Sequence, residues 1–192
     1  MSLVIGLCGA KGSGKDQFYK AVKEAFPHLI VRKIAYADPI KDELGYIFNL
    51  NGETEYDQFK RTSLRFSLDD GYEHQVAGRQ IVREIGMLMR RYDEDQFIKY
   101  VENKIAAMRA HIWCITDMRF NNELKSVREN LKGVVIKVKR KGFEYDGHAT
   151  ETEIPDDLCS SVINNNGTLE HFNSEVAREM SYILQTVSLV KE

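Results

Sequence analysis

A glycine-rich segment near the start of the chain has the residue types and spacing of a phosphate-binding loop. Residues 9–16 read GAKGSGKD and fit the pattern G-x-x-x-x-G-K. In such a loop, backbone N–H groups converge on a phosphate, the following helix directs its positive end there, and the lysine reaches the terminal phosphates. The segment follows an apolar run and opens a helical pattern, which favours this interpretation over a plain glycine-rich turn. The predicted nucleotide-binding residues are Gly9, Ala10, Lys11, Gly12, Ser13, Gly14, Lys15 and Asp16.

The last residue of this loop departs from the pattern, which has Ser or Thr where this chain has Asp16. The usual hydroxyl binds Mg²⁺. A carboxylate can take that role directly or through a water, because Mg²⁺ prefers oxygen ligands and keeps several waters. The alternative is that Asp16 only complements the positive end of the helix. We predict that Asp16 is a Mg²⁺ ligand.

A second candidate metal ligand follows the third apolar run of the chain, HIWCITD, which ends at Asp117. A strand that ends in Asp places a carboxylate beside the phosphate-binding loop, where it can hold Mg²⁺ or its waters. Arg119, two residues later, can meet a phosphate oxygen. Strands also end in Asp for the sake of the turn alone, so the prediction depends on the loop being present.

Basic side chains elsewhere predict a second anion site. Asp38 and Lys41 belong to the segment ADPIK, which follows the second apolar run. Asp38 is expected to cap the helix that begins there, with Pro39 at its first position, and Lys41 can point at an anion. Arg79 and Arg83 are four residues apart and therefore share a helical face. For this pair the alternative is an ordinary solvated stripe.

The fourth apolar run ends in four basic residues, which are Lys137, Lys139, Arg140 and Lys141. A polar segment with two glycines follows, at about 140–155. A basic strand end leading into a segment of this kind is typical of a lid that supplies cations and excludes water on closure. An ordinary solvated loop is the alternative.

Apolar runs alternate with helical patterns along the whole chain, and no repeat or linker interrupts them. Strands separated by helices predict a three-layer α/β domain with helices on both faces of a parallel five-stranded sheet. Ligands of such sheets bind at the carboxyl ends of the strands. Thr168 is expected to cap the last helix. The five predicted strands lie in LVIGLC, LIVRKIAYA, HIWCITD, GVVIKVKR and SSVINNNG.

Composition limits the partners. The chain has 192 residues, of which 43% are hydrophobic, and 27 Lys and Arg nearly balance 29 Asp and Glu. This balance argues against duplex DNA or an anionic membrane as the main partner, and the short apolar N-terminal run predicts neither a signal peptide nor a span. The three cysteines indicate neither a disulfide framework nor a zinc site, and Cys8 and Cys114 are expected to be buried.

In order and spacing, these segments resemble the deoxynucleoside monophosphate kinases of T-even-type bacteriophages, within the P-loop nucleoside monophosphate kinases. The resemblance spans nearly the whole chain. It rests on residues 9–16 with their Lys-Asp ending, Pro39-Ile40-Lys41-Asp42, Arg79 through Gly86, Asp117-Met118-Arg119, His148-Ala149-Thr150-Glu151, Val162-Ile163-Asn164-Asn165 and Gly167-Thr168-Leu169-Glu170.

The resemblance implies one P-loop kinase domain over 1–192, with an acceptor-binding insertion at about 50–75 and a lid at about 140–155. It implies ATP and Mg²⁺, nucleotide substrates rather than nucleic acid or membrane, a monomer or homodimer, and the cytoplasm of an infected bacterium. The implied catalytic residues are Lys15, Arg119 and Arg140. The resemblance implies acceptor binding for Lys41 and Arg119. From the residues themselves we also predict acceptor binding for Asp38, Arg79 and Arg83 and metal binding for Asp16 and Asp117.

The activity expected from this resemblance is transfer of the γ-phosphoryl group of ATP to a (deoxy)nucleoside 5′-monophosphate. Two alternatives stay open. One is a P-loop kinase that phosphorylates a hydroxyl, with Asp38 as the base. The other is a nucleotide-binding switch without an acceptor, against which the separate basic residues argue.

Overall fold

Five parallel strands form the central sheet in the computed structural model, which describes residues 2–67, 69, 71–145, 147 and 153–189. In chain order the strands and helices are β1 (Leu3–Cys8), α1 (Lys15–Ala25), β2 (Val31–Ile34), α2 (Asp38–Ile47), α3 (Gly52–Arg61), β3 (Ser63–Ser67), β4 (Glu73–Ala77), α4 (Gly78–Tyr92), α5 (Gln96–Ala107), β5 (Ile112–Ile115), α6 (Asn121–Lys125), β6 (Val134–Lys139), β7 (Ser161–Asn164) and α7 (Leu169–Leu189). The order of the strands in the sheet is β2-β5-β1-β6-β7. Each of the five predicted strands is therefore present, and the parallel sheet is confirmed.

The sheet is covered on both faces, as predicted. Every residue of β1 is buried, which suits the middle strand of a parallel sheet. Ile5 and Leu7 belong to one apolar cluster with residues of α1 and α7, among them Phe18 and Phe172. Successive side chains of a strand point to opposite faces. Gly6 accordingly lies against Met118 and Val127 on the other side.

Local signals set several helix boundaries. α1 ends at Ala25, two residues before Pro27, which cannot continue a helix. Thr168 caps α7 as predicted, because its hydroxyl oxygen accepts the N–H of His171 at 3.2 Å. The expectation that Asp38 caps α2 is wrong. Ala37 is the N-cap, and the Asp38 carboxylate instead pairs with Lys41 at 2.8 Å.

The chain forms two compact units, one of Met1–Tyr36 with Val101–Glu192 and one of Ala37–Tyr100. The first contains the parallel sheet. The second contains α2, α3, the antiparallel pair β3 and β4, and α4. The predicted insertion at about 50–75 corresponds to α3 and the β3–β4 pair, where no helix or strand was predicted. The acceptor-binding role of this segment and the single domain over 1–192 stay predictions.

In the part of the chain that the structure describes, no helix is long and apolar enough to cross a membrane. Cys8 and Cys114 are buried, as expected, with exposed fractions of 1% and 0%.

Candidate functional site

The carboxyl ends of the parallel strands gather most of the predicted nucleotide-binding residues of the first unit. Residue 9 follows β1, Asp117 lies two residues beyond β5, and Arg140 and Asn165 directly follow β6 and β7. The strand register aligns Gly6 with Ile115 and Lys139 with Asn164. Residues far apart in sequence therefore meet at one edge of the sheet, where ligands of α/β folds bind.

The phosphate-binding loop has backbone geometry that only glycine accommodates at two positions. Gly9 has φ of 137°, and a Cβ there would lie 2.2 Å from the Val138 carbonyl oxygen. Gly14, the N-cap of α1, has φ of 116°, and a Cβ there would lie 2.4 Å from Nδ2 of Asn165. Both glycines let the chain turn tightly while it packs against its neighbours. The sequence motif therefore adopts the kind of loop conformation that its glycines predict.

Asn165, which follows β7, holds this loop in place. Its side-chain amide donates a hydrogen bond to the Ser13 carbonyl oxygen at 2.8 Å, and its backbone N–H donates to the Lys139 carbonyl oxygen at 2.7 Å. Asn165 belongs to one of the segments on which the family resemblance rests, but no role was predicted for it. The available signal was the run of three asparagines, 164–166, at the end of β7, since short polar amides commonly bond to nearby backbone.

Lys15 lies over the loop that it is predicted to serve. Its ammonium donates to the carbonyl oxygens of Gly9 and Ala10 at 2.7 and 2.9 Å. The cation is thus held at the strand-to-loop junction. A terminal phosphate bound at this loop would meet the positive charge of Lys15.

The two predicted metal ligands present oxygen donors. The Asp16 side chain is 76% exposed, and one of its oxygens lies 3.7 Å from the Lys33 ammonium. Asp117 accepts the Tyr36 N–H at 2.7 Å through Oδ1. Within the described residues, no cluster of three or more His, Cys, Asp and Glu side chains is arranged to hold a metal. Mg²⁺ commonly binds through one or two carboxylates together with nucleotide phosphates and waters, so each side chain has the donor type that this ion takes, and the metal roles of Asp16 and Asp117 stay predictions.

The turn that carries Arg119 is fixed by Glu123, a residue that sequence reasoning missed. Oε2 of Glu123 accepts the N–H groups of Arg119 and Phe120 at 2.7 and 3.1 Å, and Glu123 is only 2% exposed. The sequence signal was an acidic side chain in the first turn of a helix, which commonly bonds back to the N-terminal amides. Arg119 itself is half-buried.

A cavity of about 530 Å³ adjoins the phosphate-binding loop. Arg140 lines it, and the guanidinium carbon lies 4.8 Å from the ring centre of Phe143. That ring packs over the loop, because a Cβ on Gly12 would lie 2.6 Å from it. The other lining residues are Gly9, Ala10, Lys137, Val138, Lys139, Lys141, Glu144, Tyr145, Glu153, Asn164 and Asn166. The start of the predicted lid thus folds against the loop. Residues 146 and 148–152 of that segment, including His148, lie outside the described residues.

Two of the four basic residues at the end of β6 are engaged in ion pairs. The Lys137 ammonium is 2% exposed and contacts Glu153 and Asp156 at 2.7 and 2.8 Å, and it also donates to the Ile154 carbonyl oxygen. Burial disfavours its charge, but hydrogen bonds to Asp156 and Glu153 outweigh burial and raise the pKa of Lys137. Lys139 pairs with Asp156 at 2.5 Å. The acidic stretch beginning at Glu151 was the missed signal.

Four of the five predicted acceptor residues, all except Arg119, belong to the second unit. Asp38 and Lys41 line a cavity of about 590 Å³ between α2 and α3. Its other lining residues are Asp42, Gly45, Tyr46, Asn49, Leu50, Asn51, Gly52, Glu53 and Tyr56. Arg79 and Arg83 lie half-buried on α4 and are not among the described residues that line it. The structure therefore brings Asp38 and Lys41 together, whereas the acceptor roles of Arg79 and Arg83 stay predictions.

Comparison with known proteins bears on the fold. No model of a known protein family matches the chain, and no curated protein matches it. Among solved structures, the chain is similar to dephospho-CoA kinase from Campylobacter jejuni, with a TM-score of 0.51 and 16% identity over 95% of this chain and 98% of that one. It is also similar to shikimate kinase from Aquifex aeolicus, with a TM-score of 0.48 and 12% identity over 97% of this chain and 99% of that one. The first similarity confirms the predicted P-loop kinase fold.

Proposed function

We propose that this chain transfers the γ-phosphoryl group of ATP to the 5′-phosphate of a (deoxy)nucleoside monophosphate. The observation that carries the proposal is the loop of residues 9–16. Its first two residues line a cavity of about 530 Å³, which Arg140 and Lys141 also line. A glycine loop, a lysine held at 2.7 Å from its first carbonyl, and a basic wall together suit a nucleoside triphosphate.

On this proposal, the chain acts by alignment and by charge neutralisation. The attacking group is already a phosphate oxygen, so no strong general base is needed. The loop N–H groups cradle the β- and γ-phosphates, while Lys15 and Arg140 meet the charge that develops on the transferred group. Arg119, which follows β5 at the same edge of the sheet, is proposed to stabilise that charge as well. Asp16 and Asp117 would hold Mg²⁺, which when bound neutralises phosphate charge.

We assign the acceptor to the cavity between α2 and α3 in the unit Ala37–Tyr100. Lys41 supplies the cation for the acceptor phosphate, in exchange for its present contact with Asp38 at 2.8 Å. Tyr46, which is 88% exposed, lines the same cavity and offers its aromatic ring to a base. Arg79 and Arg83 of α4 are proposed to bind the same phosphate.

A kinase with a hydroxyl acceptor is the second candidate, and the similarity to dephospho-CoA kinase favours it. A hydroxyl must lose its proton on attack, so this reaction needs a base, and Asp38 is the carboxylate in the acceptor cavity beside Lys41. Asp38→Asn separates the two candidates. The substitution abolishes transfer to a hydroxyl, but it lowers transfer to a phosphate only modestly because the phosphate needs no base.

The deciding experiment is an ADP-release assay with Mg-ATP against ribo- and deoxyribonucleoside monophosphates, with dephospho-CoA and shikimate as hydroxyl acceptors. We expect ADP release to rise with certain monophosphates, and Lys15→Ala to lower that rate by at least about 10²-fold, the scale of one lost charge-stabilising group. Lys23→Ala is the matched control, since Lys23 is an exposed residue of the same helix.

Each alternative result points elsewhere. Stimulation by dephospho-CoA or shikimate alone refutes the phosphate acceptor and selects the hydroxyl kinase. ATP binding without stimulation by any acceptor selects a nucleotide-binding switch. A Lys15→Ala variant with near-normal turnover contradicts the assignment of the loop.

A further inference from the structure

Two cysteines that are distant in sequence meet beside the phosphate-binding loop. Cys8 is the last residue of β1 and directly precedes Gly9, and Cys159 lies just before β7. Their sulfur atoms are 3.7 Å apart although 151 positions separate the residues. A disulfide needs about 2.0 Å between the sulfurs, so the two atoms must approach each other by roughly 1.7 Å.

Cys159 can move toward Cys8 more easily than Cys8 can move toward Cys159. Cys8 is 1% exposed and paired in register with Lys137 in the sheet, so its backbone is held on the β6 side. Cys159 is half-buried in the short loop between the turn Asp156–Leu158 and β7. Its N–H donates to the Asp156 carbonyl oxygen at 3.0 Å. A loop residue of this kind shifts at lower cost than a residue in the middle of a sheet.

We propose that Cys8 and Cys159 form a redox pair that closes to a disulfide under a hydroperoxide and thereby weakens nucleotide binding at the adjacent loop. The effect on nucleotide binding rests on the proposed function, whereas the closing of the disulfide does not. Disulfides of this kind in proteins of reducing compartments are usually transient and redox-sensing.

The chemistry balances with the peroxide as the named oxidant. The Cys159 thiolate, whose proton passes to water, attacks a peroxide oxygen. The O–O bond breaks, and the leaving hydroxide takes up a proton as water, which leaves a sulfenic acid on Cys159. The Cys8 sulfur then attacks the Cys159 sulfur, the S–S bond forms, the S–O bond breaks, and the Cys8 proton leaves in a second water. The two thiols lose two electrons, and the peroxide gains two.

The groups around the two thiols make this reaction slow. Burial raises the pKa of Cys8 and of Cys159, which keeps both thiols mostly protonated near neutral pH. The Lys137 ammonium acts in the opposite direction on both, and Asp156 and Asp157 oppose it at Cys159. The pair is therefore expected to react slowly with peroxide.

The link acts on nucleotide binding because it joins the loop to a wall of its cavity. Glu153 lines that cavity and lies in the segment tied to β6 through Lys137. On the other side, Gly9 has no space to yield, since a Cβ there would meet the Val138 carbonyl oxygen at 2.2 Å. Because Cys8 is held in the sheet, the closing movement of roughly 1.7 Å falls mainly on the segment of Cys159, which carries this wall of the cavity.

The first test measures the bond. The reduced full-length chain is treated with hydrogen peroxide, free thiols are counted with a chromogenic disulfide reagent, and non-reduced peptides are mapped by mass spectrometry. We expect two of the three thiols to be lost, a peptide linking Cys8 to Cys159, and recovery by dithiothreitol. Cys159→Ser should abolish the linked peptide, and Cys114→Ser, the matched control, should leave it. An unchanged thiol count, or a link that involves Cys114 or a second molecule, overturns the proposal.

The second test measures the consequence. ADP affinity is determined by calorimetry before oxidation, after it, and after reduction, for the natural chain and for Cys159→Ser. We expect a Kd at least about 3-fold higher in the oxidised natural chain, restored by dithiothreitol, and no change in the variant. A disulfide that forms with no change in Kd overturns the coupling. If the reduced chain binds no ADP, the proposed function fails instead, and the linked peptide still decides whether the pair exists.

Discussion

Replacing Gly14 with alanine should destabilise the fold through two separable effects. Gly14 has φ of 116°, and a Cβ in such a conformation costs about 1–2 kcal/mol. The same Cβ would lie 2.4 Å from Nδ2 of Asn165, which donates to the Ser13 carbonyl oxygen at 2.8 Å. Displacing that amide loses one hydrogen bond, worth about 0.5–1.5 kcal/mol. We therefore expect Gly14→Ala to lower the free energy of unfolding by roughly 1.5–3.5 kcal/mol.

Two comparisons isolate the contact from the backbone strain. Gly142 also has positive φ, 80°, and belongs to the same unit, but none of the described residues lies within 4 Å of its Cβ position. Gly142→Ala should therefore cost only the strain, about 1–2 kcal/mol. In an Asn165→Ala background the amide is already absent, so Gly14→Ala should cost about 1 kcal/mol less than in the natural chain.

The assay is urea unfolding followed by the fluorescence of the single tryptophan, Trp113, which is buried in β5. Unchanged m-values across the four variants would show that the differences report stability. ADP binding is measured in parallel, and Gly14→Ala should weaken it because the loop N–H groups lose their alignment. The reasoning is refuted if Gly14→Ala costs no more than Gly142→Ala and its effect is additive with that of Asn165→Ala.

Three further predictions concern stability. Burial raises the pKa of Cys114 from 9.0 to about 12, so the unfolded chain ionises first as pH rises from 9 toward 12. The free energy of unfolding then falls by up to about 1.4 kcal/mol per pH unit for this thiol, and Cys114→Ala should remove that part of the slope in alkaline urea titrations. Thr168→Ala should lower the free energy of unfolding by about 1 kcal/mol through loss of the α7 cap, and Thr168→Ser should retain most of it. Glu123→Ala leaves two amides without their acceptor and should cost at least about 3 kcal/mol by thermal unfolding, whereas Glu123→Gln keeps one acceptor oxygen and should cost less.

The amino-acid sequence sufficed for features that local order determines. The phosphate-binding loop is a contiguous motif, and its glycines permit the positive φ values that Gly9 and Gly14 adopt. The five strands are short apolar runs between helical patterns, so their existence and their parallel arrangement follow from hydrophobic periodicity and connection length. Thr168 was predictable for the same reason, since a cap lies next to the helix that it begins.

Local reasoning failed where a local signal had a competing partner or was weak. Asp38 has the residue type of a helix cap, but Lys41 lies one turn away and takes its carboxylate at 2.8 Å. Segment 50–75 mixes polar and aromatic residues without a clear period, and it forms α3 and the exposed pair β3 and β4. For such segments the contacts that select helix or strand come from the rest of the fold.

Only the tertiary structure decided which distant side chains share the edge of the sheet. Asn165 reaches Ser13 across 152 positions, Cys8 meets Cys159 across 151, and Lys137 pairs with Glu153 in the predicted lid and with Asp156 just beyond it. Each contact depends on the strand order β2-β5-β1-β6-β7, which places β1 and β7 on either side of β6. Sequence periodicity determines which face of a strand is buried, but the neighbour of that strand depends on how the whole chain packs, because non-local pairing is settled by the combined burial of all the elements.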